Sequence, residues 1–270
     1  MSRQALSSLV RDLVDSTLKG VSISTGKVLN TMPSSVAGVE LSTILCFIAC
    51  FSLFPAAYFL SERFARTANA RYRLLFFWHA FDALIHILIE GSFLYECFFS
   101  YANAYGPQPY FLGHKGRIYG ASFGRGPTAI LWREYAKADH RWAIAEPTIV
   151  SIELLTVLLG GPAAAYACYL LWKMHSHRLR DGKKMGIVLG QFWFLATVLA
   201  TAELYGGFMT FVPEFLTGCS QLETGNLAYV VLHLAFFNGV WVVVPVWVLM
   251  EAYKEFISTS ISHQAQRSKR

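Results

Sequence analysis

Five stretches of this chain are each apolar enough, over enough residues, to cross a lipid bilayer, and no other feature limits the fold as strongly. The hydrocarbon core of a bilayer is about 30 Å thick and an α-helix rises about 1.5 Å per residue, so one crossing takes roughly 20 mostly apolar residues. Residues 39–60, 74–99, 148–172, 186–212 and 227–250 meet that requirement. Lipid offers no partner to an unpaired backbone amide, which leaves the helix as the natural form for such runs. The expected fold is therefore all-α: a polytopic membrane protein whose five transmembrane helices form a bundle enclosing a lipid-binding cavity.

Charged residues make up 15% of the chain, against roughly 25% in soluble domains, too few to coat a water-facing globule. No block outside the apolar runs is large enough to bury a core of its own. The chain divides into an N-terminal tail (1–38), a membrane domain (39–257) and a basic C-terminal tail (258–270). The net charge of +6 invites comparison with nucleic-acid binders, yet the basic residues fall in short loops and form no stripe. That arrangement suits anionic headgroups, so membrane lipids are expected partners and nucleic acid is not.

The loops also assign sides. Residues 61–73 carry Arg63, Arg66, Arg71 and Arg73, and residues 173–185 carry Lys173, Arg178, Arg180, Lys183 and Lys184, whereas 213–226 has neither Lys nor Arg. The bias of basic loops toward the cytosol places the first two there, with Lys254, Arg267, Lys269 and Arg270. The N-terminus then lies on the opposite side, the lumen if the membrane is the endoplasmic reticulum. In the N-terminal tail, Leu6, Leu9, Val10, Leu13 and Val14 recur at helical spacing, predicting an amphipathic surface helix, with a disordered tail as the other reading. Residues 101–128, rich in Gly, Tyr and Pro, read as an irregular non-cytosolic loop. Cys46, Cys50, Cys97 and Cys168 lie in apolar segments and Cys219 stands alone, so the cysteines read as packing residues without metal or disulfide spacing.

An ionisable side chain inside a bilayer costs roughly 3 kcal/mol or more, and such groups face a bundle interior or a wet cavity. The second apolar run holds His79, Asp82, His86 and Glu90, spaced three, four and four apart and hence along one helix face. Glu153 stands near the start of the third run, Gln191 and Glu203 in the fourth, and His233, Asn238 and Trp241 in the fifth. Glu96, near the end of its run, is expected to reach out to water. The stripe admits four readings: a polar seam between helices, a metal site, a proton pathway, or proton-transfer chemistry on an apolar substrate. Metal-binding membrane oxygenases need dense histidine clusters, and here only His175 and His177 lie close together, in a loop. For proton transfer, a carboxyl in a low-dielectric cavity favours its neutral, acidic form, an ionised neighbour accepts, and a tryptophan face steadies a cation. That set of groups suffices to move a carbon–carbon double bond without a cofactor.

Several segments resemble the emopamil-binding protein family. They are His86-Ile87-Leu88-Ile89-Glu90-Gly91, the segment from Leu131 through Trp132-Arg133-Glu134-Tyr135-Ala136-Lys137 to Asp139, and Glu153 followed by Gly161-Pro162. Gly190-Gln191 and Phe237-Asn238-Gly239-Val240-Trp241 with Pro245 complete the set, in order, over roughly residues 71–256. The Trp132–Asp139 segment, read as a loop, is the most specific of them. The resemblance implies a cofactor-free shift of a sterol double bond from Δ8 to Δ7 in the endoplasmic reticulum, through protonation of one alkene carbon and loss of a neighbouring proton. It assigns the proton transfers to Glu90, oriented by His86, and to Glu153. Asn238 would position an acid and Trp241 would hold the cation. His79, Asp82, Gln191 and Thr201 are further candidates for the substrate pocket, and a homodimer is left open.

The chain also departs from the family pattern. His79 and Asp82 stand where the sterol isomerase has apolar or neutral groups, and Trp193 and Leu195 replace a Tyr and an Asp. The extra His79–Asp82 pair reads either as an acid–base pair or as a neutralised one. The substrate is accordingly a sterol or a terpenoid, with a proton-initiated isomerase or cyclase of secondary metabolism as the alternative. A non-catalytic sterol-binding membrane protein is the reading from outside the enzyme class.

Overall fold

The computed structural model describes residues 35–36, 39–176 and 181–268; the amphipathic helix expected at the N-terminus lies outside them. Among the described residues, five helices are long and apolar enough to cross a membrane: Leu41–Phe64, Ala70–Phe99, Pro147–His175, Gly182–Leu216 and Tyr229–Ser262. Each contains most of one expected apolar run and all are longer than it, because a helix does not stop where hydropathy falls. The fifth departs furthest, since Phe237–Arg267 is one continuous helix that absorbs most of the expected C-terminal tail.

The second span is the hub of the bundle. In its apolar window 56% of residues are buried, against 6% in the first span, which lies on the outside. Around its first half Leu75, Phe76 and Trp78 pack against Ala164 and Ala167 of the third span and Phe192 of the fourth. The small residues let backbones approach closely, which is how helices gain contact energy where lipid is as apolar as the side chains. At the same end Arg71 Nε lies 2.6 Å from Glu251 and Arg71 Nη1 lies 3.0 Å from Glu255, tying the start of the second span to the fifth.

The opposite end is closed by a cap built from residues 100–146. A short antiparallel ribbon pairs Tyr101–Ala102 with Ile118–Tyr119. The Trp132-Arg133-Glu134-Tyr135-Ala136 segment, expected as loop, lies in a helix, Pro127–Ala136. Pro127 opens it at a position where its missing N–H costs nothing and its fixed φ suits the helix. Glu96, expected to reach water, is 1% exposed. It accepts a 2.6 Å hydrogen bond from the Thr128 hydroxyl, and another from Ser100, so the cap has folded over it. Trp132 stacks on Trp142 with centroids 4.9 Å apart, and Phe93 meets both. Arg141 donates to both carboxylate oxygens of Asp139, at 2.9 and 2.6 Å, and to the Thr210 carbonyl at 2.8 Å, pinning the cap to the fourth span. Burial works against the Arg141 charge, but its bonds to Asp139 outweigh that and raise its pKa above the ordinary arginine value.

Three widened, π-helical segments belong to the spans: Ile85–Glu90 and Thr156–Gly160 lie inside the second and third, and Tyr229–Phe236 opens the fifth. The first two press against each other. A Cβ added to Gly161 would stand 2.8 Å from Ile87 Cγ1 and 3.2 Å from His86 Cβ, so only glycine permits this approach. Pro162 next to it cannot donate a backbone hydrogen bond, and the Gly161 N–H reaches back five residues to the Thr156 carbonyl.

Candidate active site

The widened turn of the second span displays His86 between two carboxyl groups of its own helix. His86 Nε2 lies 2.9 Å from Asp82 Oδ1 and His86 Nδ1 lies 2.5 Å from Glu90 Oε2. With a partner on each ring nitrogen the imidazole is locked in rotation. Trp241 Nε1 of the fifth span donates to the same Asp82 oxygen at 2.9 Å, which fixes the indole at the edge of the cluster. Glu153 of the third span comes within hydrogen-bonding reach of Glu90. The Thr156 hydroxyl donates to Glu153 Oε2 at 3.3 Å. An ionised carboxylate only accepts, so two carboxyl groups bond only across a shared proton. The Glu90–Glu153 pair can therefore both deliver a proton and take one back.

These groups open on a cavity of about 1040 Å³, at the upper end of the roughly 300–1,000 Å³ range of small-molecule sites. Its walls come from all five spans and the cap helix and are overwhelmingly aliphatic and aromatic. Polar groups gather in two places. His86, Glu90, Glu153 and Glu203 stand toward the middle of the bundle, with the Trp241 ring beside them. Glu134, Tyr135, His233 and Asn238 stand at the capped end. There Asn238 Nδ2 donates to the Tyr135 hydroxyl at 3.0 Å and to the His233 carbonyl at 2.9 Å. Burial pushes the Tyr135 phenol well up, so it keeps its proton and can donate into the cavity while accepting from Asn238. Glu134 is held by the hydroxyls of Thr43, at 2.6 Å, and Ser42, at 3.0 Å, and by Lys137 Nζ at 2.9 Å.

The structure thus brings His86, Glu90, Glu153, Asn238 and Trp241 to the lining of one cavity. Other candidates stand elsewhere. Asp82 is fully enclosed behind His86 and does not line the cavity. His79, one turn further from the capped end, packs its ring edge-on against Phe192 and leaves both nitrogens without a hydrogen-bond partner. No His79–Asp82 hydrogen bond forms, because Asp82 Oδ1 is turned to His86 and Trp241. Gln191 is exposed, one helical turn before Leu195, the first cavity residue of the fourth span. Thr201 is exposed and does not line the cavity, and its hydroxyl is spent on the Thr197 carbonyl at 2.7 Å. Asn238 reaches the cavity but bonds Tyr135 and a carbonyl in place of an acid. Tyr135 and Glu134 carried only the signal of the family resemblance, since they sit in a segment that reads as loop. Glu203 had one of its own: it is a lone acid in an apolar run.

Residues 127–252 match the EXPERA (EXPanded EBP superfamily) model. The chain is 26% identical over 226 residues to the 3-beta-hydroxysteroid-Delta(8),Delta(7)-isomerase of Cavia porcellus, with 83% of each chain covered. It is 27% identical over 205 residues to a probable isomerase of the same name from Oryza sativa subsp. japonica, covering 75% of this chain and 76% of the relative. A third relative is a protoglabretal synthase of Ailanthus altissima, 25% identical over 219 residues, covering 81% of this chain and 83% of the relative.

Proposed function

Because this chain belongs to the emopamil-binding protein family, we propose that it is a cofactor-free isomerase shifting a carbon–carbon double bond in a sterol or terpenoid. One observation carries the reading: Glu90 and Glu153 meet on the wall of an apolar cavity, with His86 locked against Glu90. The pair delivers its proton to one alkene carbon, and the π electrons form the new C–H bond. The adjoining carbon is left as a tertiary cation, which the Trp241 face steadies. A carboxylate then removes a proton from the next carbon, and the C–H electrons close the shifted double bond. The isomerase names of the relatives from Cavia porcellus and Oryza sativa support the sterol Δ8–Δ7 version of this reaction. The protoglabretal synthase of Ailanthus altissima supports a second version, a proton-initiated rearrangement or cyclisation of a terpenoid.

In this reading the enzyme sits in the endoplasmic reticulum membrane, with its N-terminus lumenal and its C-terminus cytosolic. The Arg63–Arg73 group and the basic end of the fifth span support that orientation, since Arg71 meets Glu251 and Glu255 at a common end. Its partners are the hydrophobic substrate and membrane lipids, which meet exposed side chains such as Phe194. The test is to supply a Δ8 sterol to membranes containing the protein in heavy water. Product with a moved double bond and one carbon-bound deuterium is expected. Recovery of unchanged, unlabelled sterol would reject the sterol version and direct the same assay to terpenoid alkenes.

A further inference from the structure

We propose that Glu203 is a second proton-exchanging residue of this active site, wired through Asp82 and His86 to the Glu90–Glu153 pair. The inference rests on reading the cavity as the seat of proton transfer, and its observations are independent of the family pattern. Glu203 interrupts an otherwise apolar stretch of the fourth span and lines the cavity. Both of its carboxyl oxygens are buried without a hydrogen-bond partner, and so is Asp82 Oδ2. These two orphaned carboxyls face each other within hydrogen-bonding reach. As with Glu90 and Glu153, only a proton between them satisfies both.

The result is an unbroken line of five side chains: Glu203, Asp82, His86, Glu90 and Glu153. Its two end residues, Glu203 and Glu153, line the cavity, while Asp82, in between, does not. Asp82 has no other exit for a proton, because its Oδ1 is held by Trp241 Nε1 and His86 Nε2. An imidazole with a carboxyl on each nitrogen can accept a proton at one and release another from the opposite side.

The balance closes without a co-reactant. The Glu90–Glu153 pair gives its proton to the alkene and is left as two carboxylates. The cation loses a proton from a neighbouring carbon to Glu203, and the freed C–H electrons make the new double bond. The Glu203–Asp82 pair now holds one proton more than before. Asp82 passes one to His86 Nε2 and His86 Nδ1 releases one to Glu90, which restores the carboxyl protons and leaves the imidazole protonated on Nε2; exchange between its two tautomers completes the cycle. Two separate proton stations also let the cation be quenched away from the carbon first protonated.

Glu203→Gln separates this role from a structural one. The amide can donate to Asp82 and preserve the contact between the second and fourth spans, but it cannot take up the substrate's proton. Expected is a loss of kcat of about 100-fold or more, in the range of a general acid or base, with KM little changed and partial recovery in Glu203→Asp. Asp82→Asn cuts the wire, so it should give a burst of one product per site followed by slow turnover. A Glu203→Gln enzyme with wild-type kcat would overturn the proposal, and so would steady wild-type turnover by Asp82→Asn. A second readout needs no substrate. The infrared band of protonated carboxyl groups should weaken in Glu203→Gln, and an unchanged band would overturn the shared proton even if no sterol proved to be converted.

Discussion

Replacing Trp241 tests two functions that the structure joins in one ring. Its Nε1–H donates to Asp82 Oδ1 at 2.9 Å, and its face lines the cavity beside His86, with ring centroids 6.4 Å apart. Trp241→Phe keeps an aromatic face and removes the donor; Trp241→Ala removes both. A hydrogen bond to a charged group contributes about 1.5–3 kcal/mol, and each 1.36 kcal/mol is about tenfold in rate. If the whole effect of freeing Asp82 falls on the alignment of His86, Trp241→Phe should lower kcat by roughly 10- to 150-fold. It should change the affinity for an ammonium-bearing amphiphile, a mimic of the cation, only slightly. Trp241→Ala should in addition weaken that amphiphile by about 0.5–2 kcal/mol, the range of a cation over an aromatic face. The assay is turnover of the accepted alkene together with amphiphile binding on the same membranes. Equal kcat in wild type and Trp241→Phe would refute the orienting bond, and unchanged amphiphile affinity in Trp241→Ala would refute the cation face.

Three further outcomes follow from the geometry. Glu90→Gln and Glu153→Gln should each lower turnover by roughly 10²- to 10⁴-fold while the folded protein is recovered in normal yield; normal conversion by both would end the isomerase reading. Gly161→Ala places a methyl group 2.8 Å from Ile87 Cγ1, and such overpacking should cost about 1–3 kcal/mol. Thermal unfolding in detergent should show it, along with lower kcat as His86 is displaced. Arg141→Ala leaves Asp139 buried and unpaired, which should cost about 3–5 kcal/mol and loosen the cap, seen as faster proteolysis between residues 100 and 146.

How much of this was legible beforehand depends on which physical constraint was at work. The bilayer fixes helix length, so the apolar runs gave the five spans almost to the residue at several ends, such as Phe99. The cost of charge in lipid singled out Asp82, His86, Glu90 and Glu153, and helical spacing put three of them in line. What stayed hidden depends on tertiary contacts. The cap helix is short, and Trp132 and Trp142 stack only because the chain doubles back. Glu96 was misread because the residues that enclose it, Ser100 and Thr128, lie in a stretch with no periodicity. Thr201 and Glu203 are two residues apart in sequence, and helix phase alone sends one outward and the other to the cavity. Phase in turn depends on the neighbours a span meets, which hydropathy does not reveal.

The placement of the acids argues for the class of guest as strongly as their identity does. Were the polar line a seam holding helices together, its members would bond one another and turn away from empty space. Asp82 does so, but His86, Glu90 and Glu153 remain on the wall of a cavity that is otherwise hydrocarbon. A polar guest would find few partners along most of that wall and would lose hydration on entering it. A rigid hydrocarbon skeleton loses little, and fills the space with contacts that fix which carbon meets which carboxyl. The shape of the apolar wall, more than the acids, then decides where the double bond starts and where it ends.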